Sequence, residues 1–225
     1  GSAVEIWDSA GNAQIGSDIA NANNCFEMAE AVISGVSNLL AVISDNATSA
    51  LEGWYFPEGG AWTQITDADF PPNQGTPIPL TGASVQLDGT TYWMTTTGVI
   101  YGSDLNSVSA YTATNFISVH SYPDYGVGLA RYRDYIVGFG TRTVEFFYNA
   151  GNATGSLLSP VKGSTIAIGA IKNSNIPTIK QIGGTVYWIG MDINTGKRGV
   201  YRLNGLQAEK ISNEYIDKII DVDDQ

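Results

Sequence analysis

A repeated pair of aromatic strands joined by a polar turn is the feature that most restricts the fold of this chain. Each copy has an apolar strand with aromatic residues, a short turn rich in Gly, Asp or Thr, and a second strand of the same kind. The pairs are 91–94 with 99–101, 134–139 with 144–148, 185–189 with 200–203 and, in a weaker copy, 38–43 with 53–56. A unit of this kind cannot bury its apolar faces alone, so it must stack on its neighbours.

The spacing of the copies indicates the architecture. The second strands of successive copies begin 46, 45 and 56 residues apart. A further strand follows each copy after a polar turn, at 62–66, 110–112, 157–159 and 208–212. Periods of about 40 to 50 residues with four strands in each unit are typical of propeller blades. We therefore predict an all-β fold, a β-propeller that is partial or multi-bladed, with four-stranded antiparallel blades.

The repeat also predicts the domain organisation. We expect a single β-propeller domain or propeller segment over residues 1–225, ending in an acidic tail at 221–225. The blades are expected at about 1–35 (partial), 36–80, 81–126, 127–180 and 181–220. Open sheet edges invite aggregation. A partial blade count therefore predicts either a segment of a longer protein or neighbours that cover the edges.

The segments between the strands give local predictions. Residues 4–15 have the pattern of a hairpin that ends a blade begun upstream. Residues 70–79 contain four of the eight prolines, and because proline lacks a ladder donor this stretch is expected to connect two blades. Apolar residues at helical spacing in 212–220 predict a short helix.

The distribution of charge is uneven. The net charge is −11, and the first Lys or Arg in the chain is Arg131. Residues 1–130 carry thirteen acids and neither Lys nor Arg, whereas residues 131–225 carry eleven bases and nine acids. An acidic half argues against phosphate binding and against an anionic membrane surface. Two interpretations stay open: solubility, or a surface that faces DNA which must slide past without sticking.

Single reactive residues offer little chemistry. His120 is the sole histidine and Cys25 the sole cysteine, so the chain cannot form a multi-histidine metal site, an intrachain disulfide or a zinc knuckle. His120 is a general-base candidate, but a loop or strand-end residue is the better interpretation. Cys25 has no chemical partner nearby in sequence, which favours a small half-buried apolar residue. The longest apolar stretch, around 39–43, is far too short to cross a membrane.

Several acidic residues could form a site. Asp67 with Asp69, and Asp221 with Asp223 and Asp224, are paired carboxylates of the kind that glycoside hydrolysis uses. Solvated turns and a solvated tail explain them better. Asp192 and Asn194 resemble half of a calcium loop, but Leu203 stands where the bidentate Glu would be, so a hairpin turn is expected. We predict no catalytic, cofactor-binding or metal-binding residues and no enzymatic activity.

The aromatic residues have two interpretations, a sugar-stacking platform or packing between blades. Their alternation within the repeated strands favours packing. The residues concerned are Tyr92, Trp93, Tyr101, Tyr135, Tyr187 and Trp188.

Residues 131–147 carry a specific family likeness. An Arg-Asp pair precedes an aliphatic strand, a Gly-x-x-Thr turn at 140–143 follows, and an acidic–aromatic strand ends the segment. This pattern resembles the packaged DNA stabilisation proteins of short-tailed bacteriophages, also described as tail accessory, tail nozzle or head–tail connector proteins. The likeness covers roughly 60–220 and includes 62–71, 98–105, 164–169, 186–190 and 214–220.

The resemblance implies a non-enzymatic virion tail protein that is assembled in the host cytoplasm. It implies a ring of copies, hexameric by the same likeness, below the portal. There it would retain packaged DNA, conduct it during ejection without sequence-specific binding, contact portal or adaptor proteins, and anchor tail fibres or tailspikes. It implies no membrane insertion and no cofactor. The alternatives are a carbohydrate-binding or glycan-cleaving β-propeller and a propeller scaffold for peptides.

The same segment gives a prediction for the acidic residue of its second strand. Tyr135, Val137 and Phe139 are expected to alternate inward, with Arg133 and Asp134 on the solvent side of the hairpin. Glu145 lies between two apolar residues, so we expect it either to face solvent or to pair across the strands with Arg133 or Arg142.

Overall fold

A computed structural model describes residues 22–45, 51–119, 122, 124–173 and 176–222. The described residues form four antiparallel sheets of four or five strands, a two-stranded hairpin and one α-helix. We call the sheets blades 1 to 4 in chain order. The predicted hairpin at 4–15 lies outside the described residues.

Blade 1 contains β1 (Ala22–Ile33), β2 (Val36–Asp45), β3 (Leu51–Pro57) and β4 (Thr63–Gln64), each paired with the next. Ser34 and Gly35 both have positive φ, 51° and 80°, which suits a two-residue turn that follows the strand twist. The boundary that we expected between 1–35 and 36–80 falls in this turn. Residues 22–35 therefore belong to the same sheet as the strands that follow.

Blades 2 and 3 have the predicted strands in a simple up-and-down order. Blade 2 contains β5 (Leu80–Leu87), β6 (Thr90–Thr95), β7 (Val99–Ser103) and β8 (Tyr111–Ser118). Blade 3 contains β9 (Gly126–Tyr132), β10 (Tyr135–Gly140), β11 (Val144–Asn149) and β12 (Leu158–Pro160). A short 3-10 turn, Pro71–Asn73, lies in the proline-rich connection between blades 1 and 2.

Blade 4 has an interrupted first strand. Its elements are β13 (Ile168–Ala170), a hairpin of β14 (Lys172–Asn173) and β15 (Ile176–Pro177), then β16 (Lys180–Ile182), β17 (Thr185–Asp192), β18 (Arg198–Asn204) and β19 (Gln207–Lys210). Both β13 and β16 pair with β17. β13 and the start of β16, which fall in the range that we assigned to the blade before, thus supply the first strand of blade 4.

The predicted C-terminal helix is α1 (Glu214–Val222). Asp217 ties it to the sheet, because its carboxylate accepts hydrogen bonds from Lys210 Nζ at 2.6 Å and from Ser212 Oγ. Asp221, which we placed in an acidic tail, lies in the helix, and Asp223 and Asp224 lie outside the described residues.

The core lies between the blades. On β10, Val137 and Phe139 pack towards blade 4 with Trp188, while Ile136 packs towards blade 2 with Tyr92. Tyr135, Val137 and Phe139 thus share one inward face, as expected, and the opposite face of this strand is buried too, because a blade between two others is covered on both sides. A third cluster joins blades 1 and 2 through residues such as Leu40, Phe70 and Trp93.

The first strands of blades 1, 2 and 3 contact one another in order, as inner strands around a common axis do. The β14–β15 hairpin contacts β5 of blade 2, and Lys180 of β16 reaches blade 1. There Lys180 Nζ lies 3.0 Å from Glu27 Oε1. The chain between β13 and β17 therefore occupies the space among the inner strands of blades 1, 2 and 4.

Candidate functional site

A groove of about 510 Å³ lies where the β5–β6 turn of blade 2 meets blade 3. We call it the tyrosine groove. Its lining residues are Asp88, Asp134, Tyr135, Tyr148, Asn149, Pro160, Val161 and Lys162. The volume is within the range of small-ligand pockets, roughly 300–1,000 Å³.

Two tyrosines of neighbouring strands form the aromatic part of the groove. Tyr135 of β10 and Tyr148 of β11 are direct partners in the antiparallel ladder, so their side chains leave the same face of the sheet side by side. Tyr135 is partly buried and its ring meets Phe146 edge-on at 6.2 Å between centroids. Tyr148 is 43% exposed. One ring is thus held by the core and the other presents its surface to solvent.

A side-chain hydrogen bond fixes the polar rim between the two blades. Asp88 and Gly89 have positive φ, 49° and 78°, in the β5–β6 turn. Asn149 Nδ2 donates to Asp88 Oδ2 at 2.9 Å, and Asn149 Oδ1 accepts from Gly151 N at 3.0 Å. The amide of Asn149 is therefore oriented at both ends. This bond spans 61 positions of the chain.

Two opposite charges in the groove are available for a ligand. Asp134, in the β9–β10 turn, and Lys162, after β12, are both exposed. Within the described part of the chain, neither side chain makes a hydrogen bond or an ion pair. A ligand could therefore engage both groups without breaking a bond inside the protein.

A second polar arrangement lies at the opposite end of the β10 strand, in the turn at 140–143. Asp124 accepts hydrogen bonds from the backbone N–H groups of Arg142 and Thr143, at 2.9 and 2.8 Å to Oδ2, and from the hydroxyl of Thr143 at 3.1 Å. The hydroxyl of Thr141 donates to Oδ1. The carboxylate thereby fastens the blade 2–blade 3 connection to the turn of blade 3.

This arrangement gives the Gly-x-x-Thr turn a structural role. A side chain on Gly140 would overlap the Asp124 carboxylate, and the two threonines supply hydroxyl donors to it. The N–H and hydroxyl groups of residues 141–143 that face Asp124 all donate to its carboxylate. The turn therefore holds the connection before β9 in place.

The predicted acidic candidates have structural roles as well. Asp67 Oδ1 accepts from Asp69 N at 2.9 Å, and its Oδ2 accepts from Tyr111 N at 3.1 Å, which ties the proline-rich connection to blade 2. Asp192 Oδ1 accepts from Asn194 N at 2.8 Å, and this bond lowers the pKa of the exposed Asp192 carboxyl. Asp192 thus closes a hairpin turn, as predicted. Among the described residues, no group of three or more His, Cys, Asp or Glu is placed to hold a metal ion.

The remaining single-residue candidates are Cys25, His120 and Glu145. Cys25 lies in β1 opposite Ile43 in the ladder, and His120 lies outside the described residues. Glu145 is 5% exposed and stands opposite Gly138, so the solvent-facing alternative is wrong. Its pairing with Arg133 or Arg142 stays a prediction. The nearest aromatic contacts of those arginines are to Tyr132 at 5.2 Å and to Tyr122 at 5.9 Å.

Packing between blades accounts for most of the aromatic residues. Tyr92, Trp93 and Trp188 are almost fully buried and Tyr101 is 8% exposed. Burial raises the pKa of the Tyr92 hydroxyl to about 12. Tyr187 and Tyr135 are partly exposed, and only Tyr135 of the six lines the tyrosine groove.

Four residues of the groove were not among the predicted candidates: Tyr148, Asp88, Asn149 and Lys162. The predicted hairpin of 134–139 and 144–148 could have revealed Tyr148, because a four-residue turn at 140–143 places it opposite Tyr135. Asn149 follows Tyr148 on the same strand, whereas Asp88 belongs to a turn of blade 2 and Lys162 to the loop after β12, and local pattern cannot bring those two to the groove.

Comparisons with known proteins bear on the identity of the chain. The family described as "Bacteriophage P22 Gp10, beta-propeller" matches residues 31–224. No curated protein matches the chain. No helix of the described residues is both long enough and apolar enough to span a bilayer.

Several solved structures match the chain at low identity and with TM-scores below 0.5. The computationally designed protein Ika8 has 12% identity and a TM-score of 0.49, over 91% of this chain and 53% of that one. The chain thus spans about half the length of Ika8. BamB from Moraxella catarrhalis has 13% identity and a TM-score of 0.39, over 96% of this chain and 76% of that one. Hsv2p from Kluyveromyces lactis has 11% identity and a TM-score of 0.37, over 96% and 70%.

Proposed function

Because this chain belongs to the bacteriophage P22 Gp10 β-propeller family, we propose that it is a virion tail protein that works by assembly. Copies of it would form a ring below the portal, retain the packaged DNA, conduct it during ejection and anchor tail fibres or tailspikes. The family match over residues 31–224 is the observation that carries this proposal. The protein would assemble in the host cytoplasm and have no enzymatic role.

The charge distribution supports a role beside DNA. Glu30, Glu58 and Asp88 of blades 1 and 2 are exposed, and no Lys or Arg precedes Arg131 to balance them. Like charge keeps a polyanion from adsorbing. A ring that turned this half of each chain towards the channel would let the genome slide. Retardation of duplex DNA by the assembled ring at low salt would contradict this arrangement.

The filled axis supports a channel between copies. The β14–β15 hairpin contacts β5 of blade 2 and Lys180 contacts Glu27 of blade 1, so this segment crosses between the inner strands of the described residues. DNA would therefore pass through the centre of the ring, with each chain forming part of its wall.

Mass photometry of the full-length protein, alone and mixed with the matching portal complex, tests the proposal. A stoichiometric ring on the portal is the expected result, because the proposed function is assembly. An unrelated propeller of similar mass, mixed with the same portal, serves as the control. A protein that stays monomeric and does not bind the portal would overturn the proposal.

A further inference from the structure

We propose that the tyrosine groove is a binding site for a polysaccharide segment. The proposal stands on the groove alone and does not depend on a ring below the portal. It assigns roles to Tyr135, Tyr148, Asp134 and Lys162 that the fold does not require.

The paired tyrosines provide the apolar contact that a sugar ring needs. A pyranose has a face of C–H groups and a rim of hydroxyls, so it binds best to a flat surface with polar groups at its edge. Tyr148 exposes its ring, and Tyr135 beside it is held by Phe146. Tyrosine loses little conformational entropy on binding because it has only two side-chain torsions. The hydroxyl at the end of each ring can bond to the ligand.

The polar rim provides hydrogen-bonding groups of both kinds. The carboxylates of Asp88 and Asp134 accept bonds from sugar hydroxyls, and the ammonium of Lys162 donates three. Asn149 is already oriented by Asp88 and Gly151, so part of the rim is preorganised. The unpaired Asp134 and Lys162 also allow a charged sugar, an amine facing Asp134 or a carboxylate facing Lys162.

The alternatives fit less well. Two carboxylates at the rim oppose a nucleic acid backbone. A peptide that bound by strand addition would pair with the edge strand β12, but that strand is three residues long and ends in Pro160, which has no N–H to donate.

The test is titration calorimetry with three oligosaccharides as probes: maltotriose for neutral sugars, chitosan trimer for amino sugars and a hyaluronan tetrasaccharide for uronic acids. We expect the protein to bind at least one of them. Tyr148→Ala should weaken that binding about 10-fold, which corresponds to about 1.4 kcal/mol and lies within the range of aromatic contacts. Lys162→Gln should weaken the uronic acid probe more than the neutral one.

Tyr215→Ala is the matched control, because Tyr215 is 72% exposed on α1 away from the groove. It should leave binding unchanged. Equal losses for Tyr148→Ala and Tyr215→Ala, or no binding of any probe, would overturn the proposal. If Tyr148→Ala changes the melting temperature, Asp134→Asn in the exposed turn replaces it as the test variant. A peptide library that bound the groove while all sugars failed would identify a protein partner and would also overturn it.

Discussion

Asp124 explains the composition of the turn between β10 and β11. Its carboxylate collects two backbone N–H groups and two threonine hydroxyls from residues 141–143. Bonds to an ionised acceptor are about twice as strong as neutral ones. One carboxylate therefore holds the connection between blades 2 and 3 against the turn of blade 3, and it needs Gly140 because a side chain there would overlap it.

We predict that Asp124→Asn lowers the free energy of unfolding by about 2 kcal/mol, because the amide NH2 would face N–H donors of the turn. Urea denaturation of both proteins measures the difference. Asp134→Asn is the control, since Asp134 is exposed and bonds to no described residue, and it should change stability by less than about 0.5 kcal/mol. Equal effects of the two substitutions would refute the role of Asp124.

At the scale of elements, glycine sets how closely successive blades approach. The first strand of each of these blades lies against the backbone at the end of the second strand of the preceding blade, where that strand enters its turn. A side chain on Gly126 of β9 would overlap the carbonyl of Thr95, and one on Gly169 of β13 would overlap the backbone of Thr141 and Arg142. Backbone cannot move aside as a flexible side chain can, so these positions fix the spacing of the blades.

We expect Gly169→Ala to destabilise the protein by about 3 kcal/mol through overpacking between blades 3 and 4. Gly75→Ala is the matched control, because nothing lies within 4 Å of a side chain there and its φ is not positive. It should be neutral or slightly stabilising. Thermal and urea unfolding of both variants provide the measurement. If the Gly169→Ala protein is as stable as Gly75→Ala, the spacing between blades 3 and 4 can adjust to a side chain and is not set by Gly169.

At the scale of the whole molecule, a contact between β1 of blade 1 and β16 of blade 4 joins the first and last blades of the described chain. Lys180 and Glu27 are 153 positions apart. Burial raises the pKa of the Glu27 carboxyl, while the hydrogen bond and the charge of Lys180 oppose that rise. At a pH above its pKa in the folded protein, Glu27 is ionised, and Lys180 offsets part of the free-energy cost of burying that charge.

Lys180→Met should therefore lower stability by about 1 kcal/mol at pH 7, a small value because Lys180 is largely exposed. Because the pKa of Glu27 is raised, its carboxyl is protonated in the folded protein at low pH. There the wild type has no Glu27–Lys180 charge attraction that the substitution could remove. The difference from the wild type should shrink as the pH falls through the Glu27 pKa to below 4.5. Urea unfolding at pH 7 and pH 4 tests this.

Two further variants keep that interpretation specific. Lys172→Met removes an exposed lysine from the same inner segment and should have little effect at either pH. Glu27→Gln combined with Lys180→Met should recover most of the loss at pH 7, because no charge is then left without its partner. A pH-independent loss in Lys180→Met would assign the effect to packing of the side chain.

Much of the fold could be predicted because hairpins depend on nearby residues. Strand pairs such as β10 with β11 follow from two apolar runs and a short polar turn between them. The antiparallel order of the strands followed from the same pattern. The boundary between the first blades was harder to place, because the turn at Ser34 and Gly35 looks like any other hairpin turn of the repeat.

The sequence by itself determined the strands, their order in each hairpin, the acidic first half and the family likeness, because each of these depends on local pattern or on counting. Only the tertiary structure decided that β10 is buried on both faces, that a hairpin inserted in blade 4 fills the axis, and that Tyr148 shares a groove with Asp88. The physical reason is that these features depend on how whole blades stack. Contacts such as Asn149 with Asp88 join residues 61 positions apart, and no periodicity within a strand encodes that distance.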